Sequence, residues 1–128
     1  RGLMHQALVS GPSAALTTVT PDLLDDMHDG TVAQADNWLK GWWPLVVSSP
    51  AYRAGRLAVV LVWDEGAGSG NAPSHVPLIV MSASTPAGAR SALPFDDFSV
   101  LRSICQLTGV ASPGLASKSA TLLRPFHL

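Results

Sequence analysis

Three short groups of ionisable residues in this chain have the types and spacing to do chemistry. The first is Trp63-Asp64-Glu65-Gly66, an acidic pair that follows an unbroken apolar run, Leu57 to Trp63. Adjacent carboxylates at the end of an apolar strand repel each other in a low dielectric. A divalent cation between them removes that repulsion and takes both as oxygen ligands; the alternative is a flexible loop in which both face solvent. The second is His75, ten residues beyond Glu65, across a loop of Gly, Ala, Ser, Asn and Pro. A loop of that composition can fold back and bring the imidazole over the carboxylates, as a metal ligand or as a donor to a phosphoryl oxygen. A lone histidine at a strand entry is otherwise structural. The third is Asp26-Met27-His28-Asp29, in a loop with four acids and one histidine in eight positions, 22–29. Alone it reads as a solvated acidic loop. Taken together the groups run Asp/His, Asp/Glu, His, each near the end of a strand, and that order points to a metal site.

The elements that must position these groups follow from pattern. Residues 1–9 read as the end of a helix closed by Gly11-Pro12. Ala14 to Thr20 is a short β-prone run ended by Pro21. Thr31 caps a helix expected to reach about Ser48, with Val32, Ala35, Trp38, Leu39, Trp42 and Val46 at helical spacing and a kink or early end at Pro44. Its tryptophans read as core, with sugar or base stacking as the alternative. Arg56 to Trp63 is the clearest strand, apolar enough to be covered on both faces, and Val76 to Met81 is a second buried strand. A further helix starts at Asp96 or Asp97, turns Phe98, Leu101, Ile104, Cys105 and Leu107 inward, and stops at Gly109. Ala111 to Ser119 reads as a loop, and the tail from Leu122 to Leu128 is too short to assign. The order implies an α/β architecture, in which ligands gather at the carboxyl ends of the strands.

Composition narrows the class. The chain has 128 residues, 47% apolar and 13% charged, with a formal net charge of −1. That is the makeup of one folded domain with a core, and nothing in it steers the chain toward nucleic acid. No apolar stretch approaches the roughly 20 residues of a membrane-spanning helix. Cys105 stands alone in an apolar helical pattern and reads as a small buried hydrophobe. The chain opens on Arg1 without a signal-peptide layout, which points to a processed product or a fragment. Gly66-Ala67-Gly68-Ser69-Gly70 is neither a nucleophile elbow nor a dinucleotide fingerprint.

Six motifs in order carry a resemblance. They are Thr20-Pro21-Asp22-Leu23 with Asp26-Met27-His28-Asp29, then Trp38-Leu39-Lys40, Ser49-Pro50-Ala51-Tyr52-Arg53, Trp63-Asp64-Glu65-Gly66, His75-Val76-Pro77-Leu78 and Ser99-Val100-Leu101-Arg102. Over about residues 14–109 the chain resembles the carboxyl-terminal part of the bacterial phosphoesterase family that includes acid phosphatases and phosphatidylcholine-type phospholipases C. The resemblance implies an α/β fold, part of an alkaline-phosphatase-like sheet flanked by helices, with residues 1–128 as a single domain or as the carboxyl-terminal half of one. It also implies a secreted or periplasmic protein that cleaves phosphate esters with a divalent metal ion of unspecified identity. Carried onto this chain, Asp64 and Glu65 would be metal ligands. Asp26 and Asp29 would be ligands or would hold His28. His28 and His75 would contact metal, phosphoryl oxygens or the leaving group. The family pattern would place a cysteine near Leu24 and another near Gly30, a histidine at Asp97 and an acid at Cys105; the last two positions lie outside the expected metal cluster. The family's amino-terminal half supplies the nucleophile and the first ligands, so this chain alone is expected to be inactive. The rival expectation is a non-catalytic fragment or complementing subunit that binds an amino-terminal partner through an exposed apolar edge.

Overall fold

The computed structural model describes Leu8 and residues 14–66 and 75–128. The helix end expected over residues 1–9 lies outside the described residues, except for Leu8, which is helical. The chain separates into two compact units, Arg1–Arg56 and Leu57–Leu128.

In the first unit, Ala14 to Thr20 forms no strand and is exposed along its length. β-Propensity expresses fit to a pleated, paired surface, and no partner strand meets this run among the described residues. Thr31 does start a helix. Its Oγ1 accepts from Gln34 N at 3.2 Å while Thr31 N donates to Gln34 Oε1 at 2.8 Å, a reciprocal cap. The helix, α1 (Val32–Lys40), is shorter than its apolar pattern suggests. A new one, α2 (Trp43–Ser48), begins after Gly41 and Trp42, with Pro44 in its first turn. In a continuous helix the Pro44 ring would press on the carbonyl of Lys40, and its missing N–H would break the ladder. In a first turn neither fault matters. Ser49 links α2 to α3 (Pro50–Arg53), donating to Val46 O at 2.7 Å and accepting from Tyr52 N at 3.3 Å. The tryptophans pack on one another as the core reading expects. Trp38, Trp42, Trp43 and Tyr52 meet edge to face in series, with centroids 5.4, 6.4 and 6.0 Å apart.

The second unit is built on a hairpin-like pair, β1 (Ala58–Val62) and β2 (Leu78–Ser82). The strands are antiparallel, with Val60 opposite Val80 and Val62 opposite Leu78. Together with the helices they make the mixed α/β architecture that the element order implies. Among the described residues, cover on both faces is not found. Val60, Leu78 and Val80 face the core, whereas Ile79 on the other face is 45% exposed. An all-apolar strand does not reveal by periodicity which face is covered.

Helix α4 (Asp97–Thr108) begins and ends where expected. The Asp96 carboxylate accepts from Ser99 N at 2.8 Å, and Gly109 closes the helix in the left-handed region, φ 74°. Its buried face matches the apolar stripe only in part, at Cys105 and, half-buried, Ile104. Phe98, Leu101 and Leu107 are exposed, and Ser99, Ser103 and Cys105 are buried. Small serines at positions four apart let the tail close against the helix. Ser103 Oγ donates to Ser99 O at 2.7 Å and accepts from Leu122 N at 2.8 Å. The segment read as a loop contains a 3₁₀ turn, Gly114–Lys118, with Ala116 fully buried. The unassigned tail forms α5 (Leu123–Phe126) and supplies the core itself: Leu122 and Phe126 pack with Val80. It is fastened by Thr85 Oγ1 to Phe126 O and Ser84 Oγ to His127 O, both at 2.7 Å.

Ser103→Ala leaves the buried Leu122 N–H without an acceptor. It should destabilise the chain by about 1–3 kcal/mol in urea unfolding, more than a deletion of one exposed hydroxyl such as Ser117→Ala.

Candidate functional site

The first unit presents the Asp26–Asp29 group as a tight loop. Asp22 Oδ1 accepts from Leu24 N and Asp25 N, both at 3.0 Å, and Asp29 N donates to Leu23 O at 2.8 Å. Asp26 Oδ1 accepts from His28 N at 2.8 Å. Met27 between them takes a positive φ of 78°, a conformation that costs a non-glycine residue about 1–2 kcal/mol. The result holds His28 in place, with Nδ1 2.9 Å from Asp29 Oδ1. An ionised carboxylate only accepts, so the Nδ1 position carries the proton, and in the neutral ring Nε2 bears the lone pair. Both side chains are well exposed. The loop closes on Gly30, where a β-carbon would lie 1.8 Å from the Leu24 carbonyl oxygen. Gly30 therefore packs directly on the Leu24 backbone.

The second unit contains a pocket of about 580 Å³. Its apolar lining comes from both strands (Val62, Leu78), from α4 (Val100), and from Phe95 and Phe126. Phe126 is buried, and the Phe95 and Phe126 rings lie 6.1 Å apart at 44°. The polar lining is exposed: Asp64, His75, Arg90, Asp96 and Asp97. Asp64 leaves the end of β1 and His75 precedes β2, so antiparallel pairing of Val62 with Leu78 brings the two residues to the same end of the sheet. Glu65 does not line the pocket.

The structure therefore brings Asp64 and His75 together, and separately brings Asp26, His28 and Asp29 together. Asp97, which sequence reasoning set outside the site, lines the same pocket as Asp64. Arg90 and Asp96 were missed. Arg90 lies in a turn-rich stretch with no motif of its own, and Asp96 was visible only as a helix cap. The pocket holds three carboxylates against one guanidinium, so a phosphate ester there meets net repulsion unless a cation offsets it. Arg90 makes no ion pair among the described residues. Nor, among the described residues, do three His, Cys, Asp or Glu side chains converge where they could hold one metal ion.

A model of the phosphoesterase family matches residues 12–111, more than three quarters of the chain. This chain belongs to the phosphoesterase family. The match takes in Asp26, His28, Asp29, Asp64, Glu65 and His75 and stops short of the tail that carries Leu122 and Phe126. Among curated proteins, a phosphatidylinositol-3-phosphatase of Mycobacterium tuberculosis (strain ATCC 25618 / H37Rv) is 28% identical over 101 residues. That alignment covers 79% of this chain and 32% of the relative, so the chain spans about a third of that phosphoesterase's length. No solved structure matches it. No helix among the described residues is long and apolar enough to cross a membrane.

Gly30→Ala forces a methyl group onto the Leu24 carbonyl. The variant should lose about 1–3 kcal/mol of stability in urea unfolding. It should also shift the His28 ring signals in NMR spectra, because the loop that holds the ring must open.

Proposed function

We propose that the protein to which this chain belongs hydrolyses phosphate esters, and that this chain contributes acidic and histidine residues to a site completed by sequence outside it. The observation that carries the reading is the meeting of Asp64 and His75 at one pocket in a chain of the phosphoesterase family. The mycobacterial relative, a phosphatase by name, supports the same reaction class.

In this reading Asp64 and Glu65 offer hard carboxylate oxygens of the kind divalent cations prefer. Asp26 and Asp29 take part as ligands or by orienting His28. The described residues do not complete a metal site, so the remaining ligands and the nucleophile belong to another segment. His75 donates a proton to the departing alcohol oxygen as the P–O bond breaks, and water supplies the hydroxyl that the phosphate gains. Arg90 faces the same pocket and offsets charge on the phosphoryl oxygens. The reading sets the protein at work outside the cytoplasm, in the periplasm or the medium, and only the family resemblance supports that part.

A second reading is favoured by one feature. The outer face of the strand pair is apolar, with Ile79 45% exposed, as expected of a fragment that docks on an amino-terminal partner. The two readings agree if that partner carries the nucleophile.

Phosphate release by the intact protein separates them. Asp64→Ala should abolish turnover with the fold retained, and full activity in that variant would remove Asp64 from the site. His75→Gln should lower kcat by about 10²–10⁴-fold for an alkyl phosphate. The loss should be much smaller for 4-nitrophenyl phosphate, whose alcohol leaves without a proton.

A further inference from the structure

The second-unit pocket has a sided chemistry that the reaction reading does not use. Its polar residues, Asp64, His75 and Arg90 among them, are exposed, whereas Leu78, Phe95, Val100 and Phe126 are buried or half-buried. At about 580 Å³ it lies within the range of small-molecule sites, which bury an apolar ligand body and orient it with a few polar groups. Phe95 and Phe126 tilt at 44° with centroids 6.1 Å apart, and both rings line the pocket. A third aromatic ring entering there can meet them edge-on or offset, the favoured aromatic geometries.

We infer that this pocket holds the alcohol portion of the substrate, and that Phe95 and Phe126 select phosphate esters whose alcohol is aromatic. The ring lies against Phe95, Phe126 and Val100, and its oxygen points outward to His75. The inference rests on the phosphoester reading only for the word substrate; the pocket's preference for an aromatic alcohol stands on its own lining. Phe95 lies within residues 12–111, the stretch matched to the family, and Phe126 lies beyond it, so the tail supplies one of the two rings. The tail is fixed in position by the Thr85 and Ser84 hydroxyls on the carbonyls of Phe126 and His127.

Two measurements on the full chain test this. The first titrates phenol, with glycerol as the polar control, and follows backbone amide signals by NMR. Phenol should shift Phe95, Val100 and Phe126, and glycerol should not. Phe95→Leu, which keeps an apolar side chain at a half-buried position, should weaken phenol binding by about two- to ten-fold. Phe126→Leu should do the same, with near-UV circular dichroism confirming that the core is intact. Equal response to phenol and glycerol, or phenol shifts elsewhere on the chain, overturns the inference. The second compares phenyl phosphate with glycerol phosphate as substrates of the intact protein. Phe95→Leu should lower kcat/KM for phenyl phosphate relative to that for glycerol phosphate by the same factor. Hydrolysis of both esters with an unchanged ratio in the variant overturns the pocket assignment and leaves the phosphoester reading standing. Phenol bound in the pocket by a protein that hydrolyses neither ester upholds the pocket and removes the reading.

Discussion

Two antiparallel strands do not hold together in water without something to pack against. In this chain that support is the tail. Leu122 is fully buried and Phe126 nearly so, and they meet Val60, Leu78 and Val80 on the inner face of the pair. Burying one such side chain contributes about 1.5–3 kcal/mol, a large share of the stability of a small unit. The strand ends that carry Asp64 and His75 keep their places because the tail keeps the strands in place.

Polar groups make that closure possible. The tail reaches α4 at two small serines, where Ser103 takes the Leu122 N–H that burial would otherwise strand. On the other side Ser82 Oγ accepts from the N–H groups of Ser84 and Thr85, which shapes the turn whose hydroxyls hold the tail's carbonyls. The bonds to the tail join residues 19 to 43 positions apart, and each satisfies a backbone group that the core would leave dry. The same closure sets Phe126 beside Phe95 and so makes one wall of the pocket.

The pocket's charge and its apolar wall face different demands. The pocket sets three aspartates against one arginine, and among the described residues no three His, Cys, Asp or Glu side chains converge where they could hold one metal ion. This chain spans about a third of its phosphatase relative. The apolar wall is packed by this unit's own core.

Where a cue is local, the sequence by itself was decisive. The caps at Thr31 and Asp96, the stop at Gly109, the interruption of the tryptophan helix ahead of Pro44 and the two apolar strands all depend on neighbours a few residues away. The acidic pair after β1 and the family motifs were equally legible, because they are contiguous. Tertiary structure decided the rest. The β-prone run at Ala14–Thr20 found no partner strand, and propensity cannot supply one. An apolar stripe on α4 marked the buried face only in part: Cys105 is buried as expected, but Ser99 and Ser103 are buried for their small size and their hydrogen bonds while Phe98, Leu101 and Leu107 stay exposed. Asp97 and Arg90 joined Asp64 only through the packing of α4 and the turns against the strand ends. The short tail, with no periodicity to read, became the core because burial depends on what surrounds a side chain, and no local pattern records that.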